Sequence, residues 1–345
     1  MISAIKKEIG VRNTELETRT LKSLYFGGGT PSVLSVNELQ SITDEVQKYF
    51  SFDSDIEITL EANPDDLSQQ FLKELSRSEI NRLSIGTQSF FDEDLAMMNR
   101  AHNASHAESS IKRAQDCGFE NISIDLIYGS PVSGFEIWKE NLQKTVALEV
   151  PHVSSYALTV EPKTALENWV LKKKLDAPSE SLQDEEFHYM SAFLKEHGFE
   201  HYEISNFAKP DFRSKHNSAY WKYEPYLGIG PSAHSYDGFQ KRSWNLANNA
   251  KYLQLIEAGK SALETEILTE KDRFNEMIMI GLRTSDGVDL SKLRSEFSSE
   301  ILEQFEEDSR QKIKDGILQV EQNHLIIPEK YWFKADGIAS DLFQV

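Results

Sequence analysis

Between residues 21 and 165, short β-prone runs alternate with helical stretches, and this limits the fold to βα units around a parallel sheet. Strands are predicted near Leu21–Phe26, Ile56–Leu60, Arg82–Ile85, Ile122–Ile127 and Val153–Leu158. Their starts lie 26 to 40 residues apart, room for a strand, a helix and two loops. Ser35-x-x-Glu38, Ser105-x-x-Glu108 and Ser133-x-x-Glu136 read as capping boxes that open three of the helices. Ile2, Ile5 and Ile9 mark an amphipathic helix before the first strand, so a strand is expected to be missing ahead of it.

Each predicted strand runs into polar or glycine-rich residues. The first leads to Gly27-Gly28-Gly29-Thr30-Pro31, the second to Glu61-Ala62-Asn63-Pro64 and the third to Gly86-Thr87-Gln88-Ser89. Asp125 lies in the fourth, and the fifth passes through Tyr156 to Glu161. Parallel strands present their C-terminal ends on one rim, so these groups are expected to converge as a binding site. The glycine run lets backbone N–H groups approach an anion such as a carboxylate, with a helix N-terminus expected behind it. No Gly-Lys-Ser/Thr follows, which excludes a P-loop.

Residues 201–245 hold the densest aromatics and histidines, including His216-Asn217-Ser218-Ala219-Tyr220-Trp221. Histidine beside flat aromatic surface suits a large planar ligand or a metalloporphyrin; an aromatic mini-core is the alternative. His102 and His106, four residues apart, read as surface residues. From 263 onwards three helices and a hairpin resemble a winged-helix module. Residues 266–345 carry 10 basic and 17 acidic side chains, so this module is not expected to read DNA. The whole chain has 37 Lys+Arg against 56 Asp+Glu, a net charge of −19 that repels phosphate backbones. No apolar run reaches 18 residues and no signal sequence opens the chain, so a cytoplasmic protein without a membrane segment is expected. Cys117, the single cysteine, excludes an intrachain disulfide and reads as packed at a helix end.

Taken together, Phe26-Gly27-Gly28-Gly29-Thr30-Pro31-Ser32, Glu61-Ala62-Asn63-Pro64, Arg82 to Phe90, Asp125-Leu126-Ile127-Tyr128-Gly129, Ser155 to Pro162 and Gly228-Ile229-Gly230 resemble the coproporphyrinogen-oxidase-like branch of the radical SAM superfamily. The likeness covers nearly the whole chain. His216-Asn217-x-x-Tyr220-Trp221 is similar to the motif of that branch's haem chaperones, the HemW type.

The resemblance implies a partial (β/α)6 barrel over 1–165, a bridging region over 166–262 and a winged-helix-like α+β domain over 263–345. It implies S-adenosylmethionine at Gly28, Gly29, Thr30, Glu61, Gln88, Arg100, Asp125 and Ala157, and haem at His216, Asn217, Tyr220 and Trp221, with His216 as the iron ligand. Arg100 enters through the resemblance alone. The family's Cys-x3-Cys-x2-Cys loop, which holds a [4Fe–4S] cluster, has no counterpart here, so this chain is expected neither to hold the cluster nor to cleave S-adenosylmethionine reductively. A lost N-terminal segment is expected over a cluster-free paralogue. The function expected is haem binding and transfer to an acceptor protein, with weak association with membrane-bound acceptors. The alternative is an oxygen-independent coproporphyrinogen III oxidase.

Overall fold

The computed structural model describes all 345 residues, Met1–Val345. Its main sheet is a curled half-barrel of β1 (Thr20–Phe26), β2 (Ser51–Ala62), β3 (Arg82–Gln88), β4 (Asn121–Tyr128), β5 (His152–Ala157), β6 (Glu200–Glu203) and β7 (Asn206–Ala208). The order is β1-β2-β3-β4-β5-β7-β6. β2 to β5 pair in parallel, and β7 runs antiparallel to both β5 and β6.

The strands alternate in character with a period of two, and each period serves a different face. Ile58, Leu60, Leu83, Ile85, Ile122, Ile124, Leu126 and Val153 are no more than 1% exposed. Their neighbours in sequence, Thr59, Glu61, Arg82, Ser84, Ser123, Asp125, His152 and Ser154, occupy the other face in matching register. A parallel strand buried in apolar surroundings on both sides reads as a continuous hydrophobic run. The polar face of these strands therefore differs from the apolar lining of a filled core.

The helices among these strands are α1 (Ile2–Arg12), α2 (Val36–Gln47), α3 (Gln69–Leu75), α4 (Asp92–Met97), α5 (Ala104–Asp116), α6 (Gly134–Ala147), α7 (Ala165–Leu171) and α8 (Glu180–Glu196). Their apolar stripes are buried: Leu39, Ile42 and Val46 on α2, Ala107, Ile111 and Ala114 on α5, Trp138 and Leu142 on α6.

Contacts divide the chain into two compact units. One comprises Tyr25–Val36 and Ile58–Arg213, with most of the half-barrel. The other comprises Met1–Leu24, Asn37–Glu57 and Ser214–Val345. In the latter, α9 (Lys215–Trp221) precedes β8 (His234–Tyr236), β9 (Lys241–Asn245), α10 (Asn249–Glu257) and β10 (Leu263–Ile267), and the strands order as β10-β9-β8. Next come α11 (Glu270–Leu282), β11 (Val288–Asp289), α12 (Leu290–Glu296), α13 (Ser299–Lys314), the hairpin β12 (Gln319–Glu321) and β13 (His324–Ile326), and α14 (Ala335–Ser340). This is the three-helix-plus-hairpin pattern read from the sequence. Phe274 packs edge-on against Phe297 and Phe305, with centroids at 5.3 and 5.6 Å. In the same unit, Arg12 bonds Glu8 at 2.8 Å and the Gly228 carbonyl at 2.8 Å. Glu8 accepts from Gly230 N–H at 2.9 Å and from Tyr252 Oη at 2.5 Å, so a buried ionic network ties α1 to the Gly228–Gly230 turn.

Three local expectations are corrected. The cap of α5 is Asn103, whose Oδ1 accepts from His106 N–H at 2.8 Å, so the helix starts before Ser105. Ser133 stands at the N-cap of α6 but makes no capping hydrogen bond. A short 3-10 turn, Pro31–Val33, follows the glycine run, and α2 begins only at Val36. The proline fixes that tight turn and removes a donor.

Candidate functional site

A lane of polar side chains crosses the half-barrel from β1 to β6. Tyr25 Oη donates to Glu61 Oε1 at 2.5 Å, and Gly28 N–H donates to Glu61 Oε2 at 3.2 Å. Ser84 Oγ donates to Asp125 at 3.3 Å, Ser154 Oγ donates to Asn206 at 2.6 Å, and the Asn206 amide reaches Glu203. Three carboxylates, Glu61, Asp125 and Glu203, thus share one lane. Burial, and then the charge of Glu61, push the Asp125 carboxyl up to about 7 against the help of Ser84, Ser154 and Arg82. Burial first and Glu61 second likewise drive the Tyr25 phenol far above its usual range. Arg100 also feels this lane. Partial desolvation lowers its pKa while Asp125 pulls it back up.

The glycine loop serves Glu61 before any anion, since the Gly28 amide points at that carboxylate. A Cβ on Gly27 would come within 2.7 Å of Glu61 Oε1. At Gly28 (φ 79°) and Gly29 there is open space instead, so a ligand can reach the backbone there. Thr30 is exposed beside them. Ala157 ends β5, in register with Tyr128. Gln88 ends β3, buried and at φ 65°, a left-handed conformation that costs a non-glycine residue about 1–2 kcal/mol. His102, read from sequence as a surface residue, is only 4% exposed, with Nε2 at 3.1 Å from the Thr87 carbonyl.

The aromatic motif lies on α9, in the other unit. Ser214 caps the helix by accepting from Asn217 N–H at 3.2 Å. Glu57, buried on β2, accepts from the Lys215 and His216 amides at 3.0 Å each and puts a carboxylate at the positive end of the helix. His216 Nδ1 is 3.2 Å from Ser23 Oγ, and Nε2 is 3.1 Å from Tyr220 Oη. Burial drives the imidazole down to about 4 despite Glu57, so it is neutral near pH 7. Trp221, five residues on, has a buried Nε1–H with no acceptor, and Asn217 lies beside His216 on the same helix, half-buried. Glu57 and Ser23 are contributors that sequence reading missed. The alternation Ile56-Glu57-Ile58-Thr59-Leu60-Glu61 carried the signal for Glu57.

Residues 8–143 match the radical SAM superfamily and residues 268–332 match the HemN C-terminal domain. The heme chaperone HemW of Lactococcus lactis is 35% identical over 315 residues, 91% of this chain and 82% of that protein. HemW of Bacillus subtilis is 37% identical over 279 residues, 80% of this chain and 73% of its own length. This chain belongs to the HemW family of radical SAM proteins. Its fold is also that of the coproporphyrinogen III oxidase HemN from Escherichia coli, with a TM-score of 0.83 at 24% identity over 99% of this chain and 82% of that one.

Membership of the superfamily implies S-adenosylmethionine and a [4Fe–4S] cluster. Residues 1–345 do not fit the cluster. Their one cysteine, Cys117, ends α5 with its sulfur 3.3 Å from Gln69 Nε2, and no group of three or more His, Cys, Asp or Glu is placed to hold a metal. For S-adenosylmethionine the fit is good. The lane's three carboxylates, with Asp125 raised to about 7 by burial first and the charge of Glu61 second, are complementary to a ligand carrying an ammonium and a sulfonium, and the open glycine backbone lies beside them. No helix is long and apolar enough to cross a membrane.

Proposed function

We propose that this protein binds haem at α9 and passes it to an acceptor protein, with S-adenosylmethionine held in the half-barrel lumen. The observation that carries the haem reading is His216, a neutral imidazole on a helix that Glu57 anchors and that ends in Trp221, whose buried N–H needs an acceptor. A neutral ring nitrogen is what an iron ligand must offer, and a propionate would satisfy the orphan donor. Asn217 and Tyr220 complete the site. In the lumen, Glu61 would take the ligand's ammonium, Gly28, Gly29 and Thr30 would border its methionine end, and Gln88, Arg100, Asp125 and Ala157 would meet the remainder. When bound, that ligand supplies a sulfonium that polarises the site, and this chain's own residues bind and orient it.

The oxidase reading asks for a cluster of free cations to meet four substrate carboxylates. Of the cations around α9, Lys215, Lys22 and Arg242 are instead paired with acids, Asp55, Glu224 and Glu276, which leaves Lys222 at the end of the helix rather than a cluster. This supports the chaperone. The division at residues 165 and 262, a cytoplasmic location and weak association with membrane-bound acceptors belong to the same reading.

The deciding experiment is haemin titration of the purified chain by Soret absorbance, beside His216→Ala. Saturation near one haem per chain, shifted or lost in the variant, is the expected result. Equal affinity and an unchanged Soret band in His216→Ala would remove His216 as the ligand.

A further inference from the structure

The end of β3 carries a backbone feature that needs a cause. Ser89 N–H returns to the Thr87 carbonyl at 2.8 Å, closing a three-residue turn around Gln88 at φ 65°. Turns of that hand are rare and strained, and they persist where surrounding contacts over-determine them. The far side of the turn is well held. Ser89 Oγ donates to Asp94 at 2.8 Å, and Phe90 N–H donates to Asn141 Oδ1 at 2.7 Å. On the near side the side chain bonded to the Thr87 carbonyl is His102, through Nε2 at 3.1 Å. A carbonyl has no proton to give, so Nε2 must carry the hydrogen. Nδ1 faces Asp65 Oδ1 at 3.8 Å. The turn also aims its central side chain. A Cβ on Gly86 would lie 3.0 Å from the Gln88 amide nitrogen and 3.7 Å from Asn63 Oδ1, so Gln88 folds back beside the segment that carries Glu61.

We propose that His102 is a positioning residue for the lumen site: by gripping the Thr87 carbonyl it keeps Gln88 in its left-handed turn, with the amide directed at the ligand, and ties the nearby Arg100 to the same point. This rests on the reading that Gln88 and Arg100 contact S-adenosylmethionine. Nothing about His102 alone, a lone histidine by a helix start, marks that role in the sequence.

His102→Leu fills the space without a donor, and His102→Gln restores an N–H at about the reach of Nε2. Equilibrium dialysis with S-adenosylmethionine is expected to show His102→Leu weakened about three- to tenfold, the scale of one hydrogen bond, with His102→Gln near wild type. In a Gln88→Ala background, His102→Leu should cost less than it does in wild type, leaving only the share carried through Arg100. Undiminished affinity in His102→Leu, or a full loss that persists without Gln88, would overturn the proposal. A second readout needs no ligand: crystal structures of the two variants. Gln88 is expected to relax to negative φ in His102→Leu and to stay near its present value in His102→Gln. Gln88 unmoved in His102→Leu overturns the proposal as well. If wild type binds no S-adenosylmethionine, the lumen assignment fails while the crystal structures still decide the role of His102.

Discussion

The hydroxyl of Tyr220 lies 3.1 Å from Nε2 of His216, one helical turn away on α9, with the two rings nearly perpendicular at 84°. In the tautomer that carries its proton on Nδ1, facing Ser23, the phenol proton occupies the Nε2 lone pair that an iron would need. Tyr220 is 37% exposed, and its ring also packs edge-on against Tyr226 at 4.7 Å. Tyr220→Phe keeps the ring and removes the competitor, so haem should bind roughly two- to tenfold tighter, a factor set by one neutral hydrogen bond. Weaker binding, with a changed Soret band, would instead make Tyr220 itself an iron ligand.

Asp125 gives a pH test with a definite sign. Its carboxyl is raised from 3.8 to about 7, so between these values the folded chain holds more protons than the unfolded one. Stability therefore falls as pH rises through that window, and Asp125→Asn should lose this component of the slope in urea titrations. A cationic ligand favours the ionised carboxylate, so S-adenosylmethionine affinity should climb between about pH 6 and 8 in wild type and stay flatter in Asp125→Asn.

Glu61 is the carboxylate that both Tyr25 and Gly28 address. Glu61→Ala is expected to weaken S-adenosylmethionine binding by about 1.5–3 kcal/mol, the scale of a charge-assisted bond. Calorimetry showing an unchanged Kd would move the ammonium site elsewhere in the lane.

Arg12 is 5% exposed and sits against Glu8 at 2%. Arg12→Met leaves Glu8 buried with its other donors but no cation, and should destabilise the fold by about 3–5 kcal/mol. A urea midpoint within error of wild type would show that Gly230, Asn245 and Tyr252 suffice for Glu8.

How much was legible depended on the range of the interaction. The first five strands, of which β2 to β5 pair in parallel, were readable as β-prone runs, and Glu61 and Asp125 showed as carboxylates within or just past them. Asn103 was missed as the cap of α5 because Ser105-x-x-Glu108 offered an equally good local pattern two residues further on. Glu57 was missed for another reason. Its partners, Ser214, Lys215 and His216, are about 160 residues away, and no local pattern encodes that meeting.

Alone, the sequence determined the βα order, the polar strand ends, the acidic balance and the motifs that place the chain in its family, since all of these depend on neighbours within a few residues or on composition. Tertiary structure decided which of those polar groups share an environment. Desolvation and like charge, which raise Asp125 to about 7 and lower His216 to about 4, are sums over groups brought together only by folding. The same holds for His102, which sequence reading left at the surface and folding buried against Thr87.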